Sequence, residues 1–264
     1  MGLFKSCASA GFSYDGPVKK PGIKEVRAAL RREAEPARVK ILSSFFKSGP
    51  GQYGEGDKFL GVPAPGTRRV LALARGLDDR GVHALLDSAW HEERALGVQV
   101  LVDRAGRADA EGLRKVLAFY LRRLDAVNNW DLVDASAHMI VGPAIEGPDG
   151  LPTRAGRALL SRLLRSKRLW DRRVAVLATL HFTRKRAFSP LLDAASRLLD
   201  DPEDLMHKAV GWMLREAGKR DAAVLRGFLR KSASRMPRTA LRYAIERLPQ
   251  AERRRWLAVR KAGR

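Results

Sequence analysis

Apolar residues recur at three- and four-residue intervals along nearly the whole chain after residue 22. This spacing places them on one side of an α-helix, since a helix completes a turn about every 3.6 residues. Pro, Gly and Asp-Pro steps interrupt the pattern and predict the turns between helices. No segment shows a convincing alternation of apolar and polar residues, which a half-buried strand would require. The pattern therefore predicts an all-α protein with fourteen helices between Ile23 and Arg260.

The spacing of these helices favours a repeat architecture. Helix pairs follow one another about every 40 residues, which is typical of HEAT-like repeats in an α-solenoid. Trp130, Arg173 and Trp212 are separated by 43 and 39 residues, each close to one such period. Equivalent positions of successive repeats lie side by side in a solenoid, so we expect these three side chains on one concave wall. Because sequence identity between the units is weak, an ordinary helical bundle is the alternative.

The helical pattern begins at residue 23. We therefore assign residues 1–22 to a flexible N-terminal tail and residues 23–264 to one domain of HEAT-like repeats. The first residues match the N-myristoylation pattern at Gly2, but that pattern is short and common by chance. No apolar run approaches the roughly 20 residues of a membrane-spanning helix, so we expect no membrane association.

The charge of the chain indicates an anionic partner. Its 264 residues include 51 Lys and Arg against 29 Asp and Glu, a net charge of +22, and 45% of them are hydrophobic, enough for a folded core. Arg accounts for 37 of the basic residues, and its planar fork matches phosphate oxygens, although a GC-rich genome would also enrich Arg. Residues 205–264 carry 17 basic and 4 acidic side chains. Such a stretch predicts a nucleic-acid partner, or a surface that contacts RNA non-specifically.

Several kinds of site are excluded. The single cysteine, Cys7, rules out a disulfide framework and thiolate-rich zinc or iron–sulfur sites. Residues 49–54 match G-x-G-x-x-G, but they follow a helix rather than a strand, so they form a loop and not a dinucleotide cradle. His91-Glu92-Glu93-Arg94 lacks the second histidine of a zinc protease. We expect no metal and no cofactor, and a reduced cytoplasmic location, associated with the nucleoid if the source is bacterial.

The predicted helix Asn128–Ile140 departs from simple amphipathicity. On a helical wheel Trp130, Asp134 and His138 share one face, with Asp131 beside them, away from the apolar side. A tryptophan on a polar stripe, one turn before a carboxylate, suggests a functional site. The alternative is a tryptophan that bridges two repeats while Asp134 pairs with an arginine.

Two further helices carry unusual side chains. Arg173 lies on the apolar side of Arg168–Arg184, where a charge is costly unless it is paired. It therefore needs an anion, either a carboxylate of the protein, which is the commoner case, or a phosphate of a ligand. In Pro202–Ala217, Trp212 lies between an apolar stripe and a basic one, and a tryptophan at such a border is more often part of the core than a ligand contact.

Several segments resemble the AlkD-type DNA glycosylases, the HEAT-like-repeat DNA alkylation repair family. The similarity spans nearly the whole chain after the tail, and the segments are specific together rather than singly. They are Phe45-Phe46-Lys47, residues 54–62 (GEGDKFLGV), 129–134 (NWDLVD), 169–173 (LWDRR), 207–216 (HKAVGWMLRE) and 236–245 (MPRTALRYAI).

The resemblance implies a right-handed α-solenoid whose basic concave face holds double-stranded DNA. It further implies a monomer that hydrolyses the N-glycosidic bond of purines alkylated at N3 or N7, while the lesion stays stacked. Its catalytic positions correspond to Trp130, Asp134 and Trp212. The DNA-binding positions expected beside them are Arg173, Lys208, Arg215, Arg238 and Arg242.

The residue types suit this chemistry. A purine alkylated at N3 or N7 is cationic and leaves without a general acid, while the sugar becomes oxocarbenium-like and needs a nearby carboxylate and an aligned water, as in glycosidases. Asp134 suits both tasks, and the two indoles could make cation–π contacts of roughly 0.5–2 kcal/mol each. The alternatives are a non-catalytic module that binds damaged or branched DNA, and a solenoid that binds an acidic protein.

Overall fold

The computed structural model describes residues 21–259, so the predicted tail lies outside the described residues except for Pro21 and Gly22. Within this range the chain is helical throughout, with two isolated bridge pairs and no strand. The helices are α1 (Ile23–Arg32), α2 (Val39–Phe45), α3 (Ala64–Ala74), α4 (Asp79–Leu86), α5 (His91–Arg107), α6 (Ala110–Arg122), α7 (Trp130–Ile145), α8 (Arg154–Leu164), α9 (Leu169–Arg184), α10 (Ser189–Arg197), α11 (Asp204–Arg220), α12 (Ala222–Ser232), α13 (Arg238–Ile245) and α14 (Gln250–Ala258).

The all-α fold predicted from the apolar periodicity is confirmed, and the clearest differences from the predicted helix bounds lie in α2 and α7. The segment predicted as one helix over Pro36–Lys47 is a short 3₁₀ turn, Pro36–Arg38, followed by α2. Helix α7 was predicted to end at Ile140, yet it continues through Pro143 to Ile145. Pro143 lies in the last turn of α7, and because proline has no backbone N–H it donates no hydrogen bond to the carbonyl four residues earlier.

The helices form two layers, as expected for an α-solenoid. Helices α3, α5, α7, α9, α11 and α13 each pack on the next and make a continuous first layer. The alternate helices α4, α6, α8, α10, α12 and α14 cover one side of this row as a second layer. Helix α9, at the centre, buries twelve of its sixteen residues, because first-layer neighbours and the second layer both cover it.

The first-layer helices α5, α7, α9 and α11 begin side by side at one edge of the layer. Hydrogen bonds between residues of their first two turns join each helix to the next. Their first residues are His91, Trp130, Leu169 and Asp204, which sets intervals of 39, 39 and 35 residues. Trp130, Arg173 and Trp212 are therefore not equivalent positions: each lies one helical turn further from the start of its helix than the one before.

Glycine allows the closest approach between α7 and α9. A Cβ atom at Gly142 would lie 2.4 Å from the Cβ of His181 and 2.9 Å from the carbonyl oxygen of Ala178. Only a residue without a side chain fits this contact. Among the helices of residues 21–259, none has the length and apolar character needed to cross a bilayer.

We predict that Gly142→Ala destabilises the protein by about 1–3 kcal/mol, because the added methyl group forces α7 away from α9. Gly106→Ala, on α5, is the matched control, since a Cβ atom there meets nothing within 4 Å. That control should be neutral or more stable by up to about 1 kcal/mol. Urea unfolding of both variants measures the difference, and equal stabilities would contradict the packing described here.

Candidate functional site

Asp134 and Arg173 form a paired contact between α7 and α9. The two carboxylate oxygens of Asp134 accept hydrogen bonds of 2.8 Å each from Nε and Nη2 of Arg173. The remaining terminal nitrogen, Nη1, donates to the backbone carbonyl of Leu205 in α11 at 2.7 Å. Arg173 thus takes a carboxylate of the protein, the first of the two anions considered for it. The contact joins three consecutive first-layer helices.

Asp134 is largely shielded from solvent. Its side chain is 16% exposed and that of Arg173 is 6% exposed. Burial raises the pKa of Asp134 above its usual range, although the guanidinium of Arg173 acts in the opposite direction; Asp131, one turn away, raises it further. The result is a carboxylate with a fixed orientation and little hydration, which strengthens its interaction with any nearby positive charge.

Trp130 is the first residue of α7 and is half-buried. The side-chain oxygen of Asn129, the residue before it, accepts a hydrogen bond of 2.8 Å from the backbone N–H of Trp130. The indole stacks on Phe46 with ring centroids 5.3 Å apart and meets the edge of Phe45 at 5.6 Å. Its neighbours are therefore the aromatic residues at the end of α2, and this contact orients the ring beside the first turn of α7.

A buried charge cluster lies under these aromatic rings. The imidazole of His91 bonds to Asp57 through Nδ1 at 2.9 Å and to Asp131 through Nε2 at 2.8 Å. Arg94 forms an ion pair with the second oxygen of Asp57. Burial on its own would lower the pKa of His91, but the hydrogen bonds and charges of Asp131 and Asp57 raise it to about 9. His91 is therefore an imidazolium at neutral pH.

Sequence reasoning missed this cluster. His91 drew notice only as part of a failed zinc-protease motif, and its partners lie 34 and 40 residues away along the chain. One signal was available: His91 precedes Trp130 by 39 residues, the interval that also separates Trp130 from Leu169. That interval places His91 at the start of the preceding first-layer helix.

Trp212 and His138 lie on different first-layer helices, α11 and α7. Trp212 is half-buried on α11 and packs against the core. Although burial favours protonated Glu216, hydrogen bonds from Lys219, Trp212 and Arg220 lower the pKa of Glu216.

His138 follows Asp134 by one turn, and burial lowers its pKa to about 4, so its imidazole is neutral at physiological pH.

Three of the other predicted DNA contacts have partners within the protein. Lys208 pairs with Asp204 at 2.8 Å, and Arg215 pairs with Glu246. Arg238 donates to the carbonyl of Leu257 at 2.7 Å and so connects α13 to α14. Arg242 is exposed on α13 and forms no ion pair within the described part of the chain. Their contact with DNA stays a prediction, as do the catalytic roles of Trp130, Asp134 and Trp212.

No group of three or more His, Cys, Asp or Glu side chains within residues 21–259 is arranged to hold a metal ion. Residues 26–248 match the family model described as DNA alkylation repair enzyme. The chain belongs to this family.

A solved structure supports the fold of this member of the DNA alkylation repair family. The structure is described as a predicted DNA alkylation repair enzyme from Enterococcus faecalis. It matches with a TM-score of 0.62 and 18% sequence identity, over 83% of this chain and 98% of that chain. Comparison with curated proteins gives no significant match. For a member of the DNA alkylation repair family the substrate is DNA.

The charge on His91 should make the stability of this protein depend on pH. The pKa rises from 6.5 in the unfolded chain to about 9 in the folded protein. The stabilisation is therefore complete below pH 6.5 and lost as pH rises through 9. Linkage gives a loss of roughly 3 kcal/mol as an upper value.

We predict that His91→Gln removes this loss between pH 6.5 and pH 9, since no imidazolium remains to titrate. Urea unfolding across that range checks the prediction for both proteins. His83→Gln, a solvent-exposed histidine paired with Asp87, is the control and should follow the wild type. Parallel curves for wild type and His91→Gln would show that His91 is not charged in the folded state.

Proposed function

We propose that this chain is a DNA glycosylase that hydrolyses the N-glycosidic bond of cationic N3- or N7-alkylated purines in double-stranded DNA. The observation that carries the proposal is the orientation of Asp134 by Arg173, 2.8 Å away, beside the half-buried Trp130. Membership of the DNA alkylation repair family supplies the substrate class. The net charge of +22 suits capture of a polyanion.

The bond changes are simple. Alkylation at N3 or N7 places a positive charge on the purine, so the electron pair of the glycosidic bond leaves with the base, which departs neutral. The sugar becomes an oxocarbenium-like cation. Water then adds to its anomeric carbon and loses a proton, leaving an abasic site. No general acid on the base is needed, because the base is already cationic.

Asp134 is assigned the two tasks that remain. Its negative charge stabilises the positive charge that develops on the sugar, and a carboxylate oxygen accepts the proton from the attacking water. Burial raises the pKa of Asp134, which makes it a better base than an exposed aspartate. Low hydration also strengthens its attraction to the oxocarbenium.

Arg173 is assigned to positioning in the proposed mechanism. Two of its nitrogens hold Asp134 and a third holds the carbonyl of Leu205. A direct contact with a DNA phosphate, as predicted from the resemblance, would require the guanidinium to give up one of these bonds. We therefore propose that phosphates are bound by the more exposed Lys208, Arg215 and Arg242, and that Arg238 supports them through α14.

Trp130 and Trp212 are assigned to the cationic sugar or lesion. The aromatic neighbours of Trp130 hold its ring in one orientation, so little freedom is lost when a cation is bound. Following the resemblance, the base is proposed to stay stacked in the duplex, with the enzyme reaching the sugar and backbone as a monomer.

A second candidate function is a non-catalytic module that binds damaged or branched DNA. The same observation favours it, because a carboxylate bonded through both oxygens to an arginine is also a common structural ion pair. The two functions differ in base release. A binding module releases none, and Asp134→Ala would leave its affinity for DNA unchanged or increased.

We predict that Asp134→Asn lowers the single-turnover rate of base release by about 10²–10³-fold, the range found when one oriented electrostatic group is removed from an active site. The assay is release of 7-methylguanine or 3-methyladenine from duplex DNA, followed as abasic sites on a gel. Asp193→Asn, an exposed carboxylate on α10, is the matched control and should retain the wild-type rate. No release by the wild type, or equal release by Asp134→Asn, would sink the proposal.

A further inference from the structure

A stack of rings connects His91 to Trp130. Phe46 lies at its centre, with its ring centroid 4.7 Å from His91 and 5.3 Å from Trp130. Phe59 lies on the His91 side, with centroids 5.1 Å from His91 and 5.5 Å from Phe46. The imidazole is thus one ring away from Trp130, although the two side chains belong to different first-layer helices.

Phe46, Asp57 and Phe59 belong to the loop between α2 and α3, residues 46–63, which crosses the beginnings of the first-layer helices. Backbone bonds of 3.2 and 2.8 Å join Lys58 to Ala89 and His91. Tyr53, in the same loop, meets the ring of Trp170 at 6.0 Å in α9. The loop therefore spans from α5 to α9.

Glu92 anchors the end of this loop. Its carboxylate accepts hydrogen bonds of 2.9–3.1 Å from the consecutive backbone N–H groups of Leu60, Gly61 and Val62. Glu92 is the residue after His91, so both α5 side chains hold the same loop. Glu92 fixes the loop to α5 alone, whereas His91 bonds to the loop and to α7 at once.

Three charged groups set the electrostatics around His91. Asp57 faces it from the loop, Asp131 from α7, and Arg94 from its own helix, where Arg94 also pairs with Asp57. The second oxygen of Asp131 is buried without a hydrogen-bond partner. Asp131 therefore depends on His91 for compensation of its charge, and that charge acts on Asp134 one turn further along α7.

We propose that His91 is a positioning residue for Trp130 and Asp134: it bonds to Asp57 of the loop and Asp131 of α7, holds the ring stack against Trp130, and compensates the charge of Asp131 beside Asp134. This inference rests on the proposed glycosylase function. It assigns a role to a buried histidine that touches neither the lesion nor the water.

Loss of His91 has two separable consequences. Without the two hydrogen bonds, the loop is free to shift relative to α7, and Trp130 loses its fixed orientation. Without the positive charge, Asp131 repels a negative charge on Asp134 more strongly, so the pKa of Asp134 rises further. The first effect lowers the rate at every pH. The second moves the acid limb of the pH–rate profile to higher pH.

The experiment measures single-turnover base release from duplex DNA containing 7-methylguanine between pH 5 and pH 10, together with the Kd for the same DNA. We expect His91→Gln to lower the rate by about tenfold to a hundredfold with little change in Kd, as for a misplaced catalytic group. Its acid limb should lie at higher pH than that of the wild type. His83→Gln is the matched control and should match the wild type in both respects.

The double variant His91→Gln/Asp131→Asn separates the two effects. Removing the charge of Asp131 should return the acid limb to its wild-type position, while the rate stays low because the ring stack is still unsupported. The wild type itself offers a test without substitution: its rate should fall as His91 loses its proton near pH 9, and His91→Gln should lack this fall. A His91→Gln protein with the wild-type rate and pH profile would overturn the inference.

The fluorescence emission of Trp130 tests its placement without catalysis. It is obtained by subtracting the emission spectrum of Trp130→Phe from that of the wild type at each pH between 7 and 10. In the protein with His91, we expect this difference spectrum to change near pH 9. In the His91→Gln background, we expect the same difference spectrum to be independent of pH. A spectrum independent of pH in both backgrounds would overturn the inference. If the wild type releases no base, the glycosylase proposal fails, and this spectrum alone decides whether His91 positions Trp130.

Discussion

The hydrogen bonds of Arg173 connect the beginnings of three first-layer helices. Its guanidinium holds both oxygens of Asp134 in α7 and the carbonyl of Leu205 in α11, at 2.7–2.8 Å. A buried arginine and a half-buried carboxylate are each costly when alone, so they constrain one another and the packing of α7, α9 and α11. The same bonds leave a carboxylate with a fixed orientation at the edge of the layer. A contact that stabilises the solenoid thereby also places the group to which we assign the chemistry.

A second contact between a buried cation and a carboxylate of α7 lies one repeat earlier in the chain. His91 connects α5 to α7 through Asp131, as Arg173 connects α9 to α7 through Asp134. The two cations lie on α5 and α9, the helices on either side of α7. Each pairs with a carboxylate in the first two turns of α7. Helix α7 is thus held from both sides at the end that carries Trp130. This arrangement explains how a surface exposed to solvent keeps an aromatic ring and a carboxylate in fixed relative positions.

Much of the fold could be predicted from the sequence, because apolar periodicity is a local property and each helix records it in its own residues. The need of Arg173 for an anion was also visible, since a charge on an apolar helix face requires a partner. The sequence also suggested that Asp134 pairs with an arginine, but it did not identify Arg173 as that arginine, because the two residues are 39 positions apart. The cluster of Asp57, His91 and Asp131 escaped notice for the same reason. Aligning Trp130, Arg173 and Trp212 as equivalent positions is wrong by one helical turn per repeat, because the repeats align at the first residues of their helices.

The central claim is that Arg173 acts through Asp134 rather than through a DNA phosphate, and a double-mutant cycle tests it most directly. Single-turnover base release is compared for the wild type, Asp134→Asn, Arg173→Gln and the double variant. If Arg173 serves only to hold Asp134, the double variant is no slower than Asp134→Asn alone. If the losses of the two single variants multiply in the double variant, Arg173 makes its own contact with the substrate, and the role assigned to the ion pair is wrong.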